Sequence, residues 1–282
     1  MKIVRISLPQ GPRFALINPQ TGRYEVLVGD PLYTSPQLSG ESFTPDEVQV
    51  LAPMLPRSKV LCWQGNYAEN LLAFSTEVEA EVEIPVEAGT PVVEETPAAA
   101  AADMEGALAE LHAYLKPNTA VSGQNTPITI PSYASSLAVV PQLGVIISRP
   151  CKKLSARGAA EVIYGLVLLQ SAYIPDIAGK SAAAAYAFDT SCPLGPIIET
   201  EVQDASITLT RSSQESKEEV ELLLRRADIQ KLVAAASHIA TFLPGDIIGL
   251  GNLLSPCEVQ AGAELQISAS GLGSLRNPVM SE

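Results

Sequence analysis

A nearly unbroken apolar run over residues 137–149, rich in β-branched side chains and closed by Arg149-Pro150, predicts a strand covered on both faces. Pro141 and Gln142 break its middle. A proline inside a buried strand predicts a bulge or bend, a feature common where strands line functional sites. Short strand patterns separated by turn residues run over 2–7, 13–18 and 24–28, and an apolar strand over 59–63 leads into Gly65-Asn66-Tyr67, a plausible pocket edge. Further strands are predicted over 164–169, 197–202 and 205–210, with two more in the tail. Helical spacing is expected over 155–163. A second helix should start at an Asp103 cap, with Leu108, Leu111 and Leu115 on one face, and a third should run from an Asp228 cap to about Thr241.

This succession of short strands and few helices reads as α+β. A small N-terminal β unit over residues 1–57 is expected to precede one larger domain over 58–282. The two differ from an insertion at about 75–110 in composition. Between Glu77 and Glu110 there are ten acids and no Lys or Arg, so most of the net charge of −13 is local. The alternating acids from Glu77 are compatible with an edge strand, and the Pro, Thr and Ala run over 85–102 reads as a linker. A floppy acidic insertion is expected to be solvated rather than to hold cations, because ordering its ligands costs entropy.

The acidic balance and the lack of any basic cluster argue against nucleic acid or an anionic membrane as partner. Acids and Gln170 interrupt the apolar stretch 159–178, so no membrane span is expected and the cytoplasm is the expected compartment. Cys62, Cys151, Cys192 and Cys257 are scattered in apolar surroundings and read as small buried thiols. Two histidines, His112 and His238, exclude a multi-histidine metal site.

Several segments, taken together, resemble the fumarylacetoacetate hydrolase superfamily. They are Gly65-Asn66-Tyr67, Leu115-Lys116-Pro117, the run 143–149, Gly165-Leu166-Val167, Phe188-Asp189-Thr190-Ser191-Cys192-Pro193-Leu194-Gly195-Pro196, Leu243-Pro244-Gly245-Asp246-Ile247-Ile248 and Gly271-Leu272-Gly273-Ser274-Leu275-Arg276-Asn277-Pro278-Val279. The resemblance implies a mixed, strongly bent β-roll with short helices, usually dimeric. It also implies hydrolysis or decarboxylation of acylpyruvates or related β-keto acids at a Mg²⁺ or Mn²⁺ ion.

Placed on this chain, the family's two metal-binding glutamates fall on Val140 and Gln142, and its aspartate falls on Ser171. Its His-x-x-Glu dyad falls on Asn70 and Leu72 or their neighbours. The lysine before the Phe-Asp-Thr segment becomes Tyr186, with Lys180 near enough to substitute. A neutral amide, a hydroxyl and a valine are poor ligands for a hard divalent ion, so no metal or other cofactor is expected. The resemblance therefore points to a scaffold that has lost the family's chemistry. Asn66, Tyr67, Gln142, Ser171, Asp189 and Asn252 are expected to line the pocket, and a second copy, a protein partner or a small carboxylate is expected as partner. The alternative is a divergent hydrolase or decarboxylase whose ion is held by Asp176, Asp189 or an insertion glutamate. A metal-free chemistry using Tyr67, Tyr173, Tyr186 or Lys180 is a further option. Asp189 is expected to bond backbone groups of its turn, and Arg276-Asn277-Pro278 to act as a structural lock.

Overall fold

The computed structural model describes residues 1–74, 97–213 and 217–282, and the side chains of residues 97–103 lie outside that description. The expected edge strand from Glu77, and most of the expected linker, fall outside the described residues.

The fold is α+β and dominated by strands, as expected from the chain's pattern of short alternating segments. Its centre is the strand Leu137–Ile147, buried at every position, which is why its residues are apolar on both faces. It pairs antiparallel with Ile163–Tyr173 on one side and with Ile247–Asn252 on the other; beyond these, Lys59–Trp63 pairs parallel to Ile247–Asn252 and Ala113–Pro117 forms the edge. On the opposite flank the sheet continues through Ile198–Glu199 into Lys2–Leu8 and the N-terminal strands. A five-stranded sheet, Lys217–Leu224, Ala205–Ser212, Glu264–Ala269, Gly273–Ser281 and Ile128–Ile130, packs with the helix Arg226–Ile239 around the main apolar cluster.

The predicted irregularity at Pro141 is present. Pro141 pairs with Gln170 on one side, while on the other the register shifts between Gln142 and Gly144. The Leu253 N–H donates to the Pro141 carbonyl at 3.0 Å. In a strand, the N–H and C=O of one residue point the same way, so the missing N–H faces the gap between Ile247–Asn252 and Cys257–Val259, where the ladder is interrupted. The proline thus sits where no ladder bond is lost.

Other sequence expectations need correction. The helix Pro97–Glu110 starts before Asp103, and Leu115 lies on the strand Ala113–Pro117 with its side chain exposed. The segment 155–163 contains only the one-turn helix Ala156–Ala159, and 197–202 contains only the strand Ile198–Glu199. Asp228 lies in the first turn of Arg226–Ile239, whose N-cap is Arg225. The turn at Asp189 is tied by Thr190, whose Oγ1 accepts the Thr129 N–H at 2.8 Å, while Asp189 is exposed.

The expected lock is formed by Asn277, which is buried, donates to the carbonyls of Gly123 and Thr126, and accepts from Gln170 Nε2. Cys62, Cys151 and Cys192 are buried free thiols and Cys257 is half-buried. Among the described residues no helix is long and apolar enough to cross a membrane.

A second lock is Asp246, fully buried and bonded by the backbone N–H groups of Ser58, Lys59 and Leu243, the Ser58 hydroxyl and the Lys59 ammonium. Burial alone would raise its pKa, but these hydrogen bonds outweigh burial and hold it below the ordinary aspartate value. Asp246→Asn is expected to cost about 2–3 kcal/mol in urea unfolding at neutral pH, the scale of hydrogen bonds to a charged group. Because the folded carboxyl has the lower pKa, its contribution is present above the unfolded pKa and fades as pH falls through the folded one. The gap between wild type and variant should therefore close in acid.

Candidate functional site

Val140 and Gln142 lie two apart on the central strand, so both side chains leave the same face, and Ser171 stands directly across from Val140 on the neighbouring strand. Gln142 and Ser171 are 0% exposed and Val140 is 1% exposed. The structure therefore brings the three expected ligand positions together, in a packed interior.

Gln142 is the hub. Its Nε2 donates to Asn252 Oδ1 at 3.0 Å, to the Tyr114 hydroxyl at 3.3 Å and to the Trp63 carbonyl at 3.4 Å. Tyr114 in turn shares a 2.7 Å hydrogen bond with the Ser171 hydroxyl. Among the described residues the Gln142 Oε1 has no partner, and it occupies the space that a side chain at Gly249 would need. Glycine at 249 is thus what admits the glutamine. The network is neutral throughout.

A second polar group lies beside it on the edge strand. Lys116 is 0% exposed, and its ammonium donates to the carbonyls of Ala172 at 2.7 Å and Tyr186 at 2.8 Å and to Ser191 Oγ at 3.1 Å. None of these carries a negative charge. Burial pulls its pKa down to about 8, against a smaller opposing influence of Cys192 and Cys62. Burial pushes Cys62 up to about 11 and Cys192 up to about 12, so both stay thiols and neither is an activated nucleophile. Burial likewise drives the Tyr114 hydroxyl well above the usual tyrosine value, with the Ser171 bond opposing.

Tyr186, where the resemblance places a lysine, is buried and stacked between Tyr114, at 4.1 Å, and Tyr173, at 5.2 Å. Lys180 and Asp189 are exposed. Asn66 caps the helix Tyr67–Leu72, its Oδ1 accepting the Ala68 N–H. Tyr67 is buried, its hydroxyl unpartnered among the described residues, and burial first, then Asp228, raises its pKa to about 12. Neither of these groups is poised as a base near pH 7.

Of the expected dyad positions, Asn70 is buried, with its Nδ2 unpartnered among the described residues and pressed against Gly251, whereas Leu72 is 65% exposed. Both line an open cleft of about 770 Å³ between the end of Lys59–Trp63 and the helices Tyr67–Leu72 and Pro97–Glu110. Glu69, Glu110 and His112 also line it, whereas Val140, Gln142 and Ser171 do not. The open cleft and the expected ligand positions are separate places.

The donor set around Gln142 does not fit a hard divalent cation. It offers one unpaired amide oxygen, hydroxyls already bonded to one another, and amide hydrogens pointing where an ion would need oxygens. Among the described residues no three His, Cys, Asp or Glu side chains gather to hold a metal ion. The carboxylate cluster required of a rearranged site is therefore absent among those residues.

Tyr114 and Lys116 were not among the site residues expected from sequence. The helical spacing assigned through Leu115 hid them. The alternation Ala113-Tyr114-Leu115-Lys116 before Pro117 was the available signal, since it turns Tyr114 and Lys116 to one face of a strand.

Comparison with known proteins agrees with the fold. The family described as Fumarylacetoacetate (FAA) hydrolase C-terminal matches residues 59–280, and the family described as Rv2993c-like, N-terminal matches residues 1–53. The chain is 30% identical to Protein Rv2993c of Mycobacterium tuberculosis, over 99% of this chain and 98% of that one. It is 27% identical to the homoprotocatechuate catabolism bifunctional isomerase/decarboxylase of Escherichia coli, over 60% of this chain but only 40% of that one. The crystal structure of a 5-carboxymethyl-2-hydroxymuconate delta-isomerase from Mycobacterium smegmatis superposes over the full length of both chains with a TM-score of 0.77 at 28% identity. With a family match covering all but the N-terminal strands, and a fold to go with it, the chain belongs to the fumarylacetoacetate hydrolase superfamily.

Proposed function

We propose that this superfamily member does not run metal-dependent carbon–carbon bond chemistry and serves instead as a binding or assembly scaffold. Residues 1–57 form its small β unit, the hydrolase-like part begins at 58, and two copies associate. The observation that carries this reading is the Gln142 network: a neutral, fully buried hydrogen-bonded plug at the positions where the family resemblance places carboxylates. Without an ion to polarise a keto group, and with Asn70 and Leu72 in place of a histidine–glutamate pair, the route lacks both electrophile and base. Fold alone does not restore them.

The names of the relatives favour a second reading, a divergent isomerase or decarboxylase acting on an acylpyruvate or β-keto acid. That reading needs acids outside the network, and Asp176 and Asp189 are both exposed.

Titrating metal-stripped protein with Mn²⁺, followed by electron paramagnetic resonance with oxalate as an enolate mimic, separates the two readings. No binding at millimolar Mn²⁺ is the expected result. Tight binding strengthened by oxalate would overturn the scaffold reading.

A further inference from the structure

No long basic run stands in the sequence, yet residues 149–157 hold four of the chain's 18 lysines and arginines and no acid. Folding gives this short stretch an apolar neighbour. The loop is zipped to the end of the helix Arg226–Ile239. Cys151 and Phe242 exchange backbone hydrogen bonds at 3.0 Å, and the Lys153 and Leu154 N–H groups donate to the carbonyl and the hydroxyl of Ser237 at 2.9 and 2.8 Å. Lys152 and Lys153, both exposed, are thereby held beside Ile239, 50% exposed, and Leu243, 36% exposed. Arg157 adds a third exposed cation on the helix Ala156–Ala159, which packs on Arg226–Ile239.

Of the four cations, Arg149 is taken up by Glu161 at 3.1 Å. Among the described residues Lys152, Lys153 and Arg157 have no carboxylate within ion-pair reach, in a chain that carries 31 acids. The dipole of a helix C-terminus accounts for nearby cations. It does not account for Ile239 and Leu243 standing in water beside them. Single exposed aliphatic side chains are ordinary, whereas two side by side with unpaired cations around them make the apolar centre and polar rim of a binding surface.

We propose that this surface docks an acidic, aliphatic peptide segment of a partner protein. The segment's carboxylates pair with Lys152, Lys153 and Arg157, and its aliphatic side chains cover Ile239 and Leu243. Charge complementarity selects a peptide over the other carriers of negative charge. A nucleic acid or an anionic membrane presents a continuous field, which the net charge of −13 repels and three cations do not offset. A short peptide brings charge only where the cations stand, and it supplies apolar side chains for the centre. Exposed ion pairs are individually weak, so affinity should depend on all three cations and fall with salt. This inference rests on the reading of the fold as a binding scaffold and names the partner's chemistry.

The test is fluorescence anisotropy of the full chain with a labelled peptide that alternates Glu with Val, at low and at physiological ionic strength. It compares wild type, Lys152→Glu/Lys153→Glu/Arg157→Glu and a charge-matched control, Arg13→Glu/Lys217→Glu/Arg226→Glu, exposed elsewhere on the chain. Saturable binding to wild type and control is expected, weakened about tenfold in the surface variant, the scale of three exposed ion pairs. A peptide alternating Lys with Val should bind the surface variant more tightly than wild type, and Ile239→Ser/Leu243→Ser should weaken the acidic peptide without changing charge. Four outcomes would each overturn the inference: no binding to wild type, equal weakening in the surface and control variants, unchanged binding in the surface variant, or tighter binding of a labelled DNA strand than of the peptide. Because every substituted position is exposed, circular dichroism should show all variants folded. The Mn²⁺ titration probes other residues, so failure of the scaffold reading and failure of the docking surface remain distinguishable.

Discussion

Gln142→Glu should lower stability at neutral pH by about 3–5 kcal/mol, the cost of leaving a buried charge without a counter-charge. The new carboxylate would be fully enclosed, and it would face the Trp63 carbonyl and Asn252 Oδ1, both of which now accept hydrogen bonds from the amide. Two repelling acceptors would replace two donated bonds. Burial should raise the folded pKa of this glutamate above its unfolded value. The unfolded state then releases its proton first, and stability should fall as pH rises from about 4 until the folded carboxyl ionises. Urea unfolding from pH 4 to 7 should show near-wild-type stability at the acid end and a widening deficit above it. A flat deficit would mean that the strand opens and hydrates the charge. Because Val140, Gln142 and Ser171 share one face, the triple replacement Val140→Glu/Gln142→Glu/Ser171→Asp brings three carboxylates together. Mn²⁺ should raise the melting temperature of this triple variant and leave wild type unmoved.

Lys116→Met should cost about 2–4 kcal/mol through a different mechanism. The methylene stem is replaced well enough by methionine, but the carbonyls of Ala172 and Tyr186 and the Ser191 hydroxyl lose a shared donor in a site closed to water. The pH dependence distinguishes this from simple repacking. The folded lysine has a pKa of about 8, below its ordinary 10.5, so between these values the unfolded chain holds more protons than the folded one. Wild-type stability should therefore rise with pH in that window, and the variant's deficit should widen by about 1 kcal/mol between pH 8 and 9. Cys62 and Cys192 titrate oppositely above pH 9, since the unfolded thiols ionise first, and because both are coupled to Lys116 the comparison stays below that pH.

Much of the architecture was legible in the linear pattern because burial on both faces leaves a compositional mark. The run around Val140 and Leu143 could only be a covered strand, and Pro141 could only sit where the ladder opens. The hydrogen-bonding locks at Asp246 and Asn277 lie in segments that carried the resemblance. Legibility failed where local composition favoured the wrong period. The alanines and leucines leading to Leu115 suggested one helix through to Pro117, while the chain leaves the helix at Glu110 and pairs Tyr114 with Cys62 as an edge strand. Strand pairing is a long-range term that local spacing does not contain.

By itself, the sequence determined that Val140, Gln142 and Ser171 carry no acid, and it is the family resemblance that places carboxylates at those positions. Only the tertiary structure decided what fills the place. Tyr114 and Asn252 lie 28 and 110 residues away from Gln142, and it is sheet pairing that closes them around its amide and sets Lys116 among carbonyls rather than carboxylates. Only the folded chain also separates the open, acid-lined cleft at Asn70 from that sealed network, because side chains distant in sequence share a surface only once the strands and helices that carry them are packed.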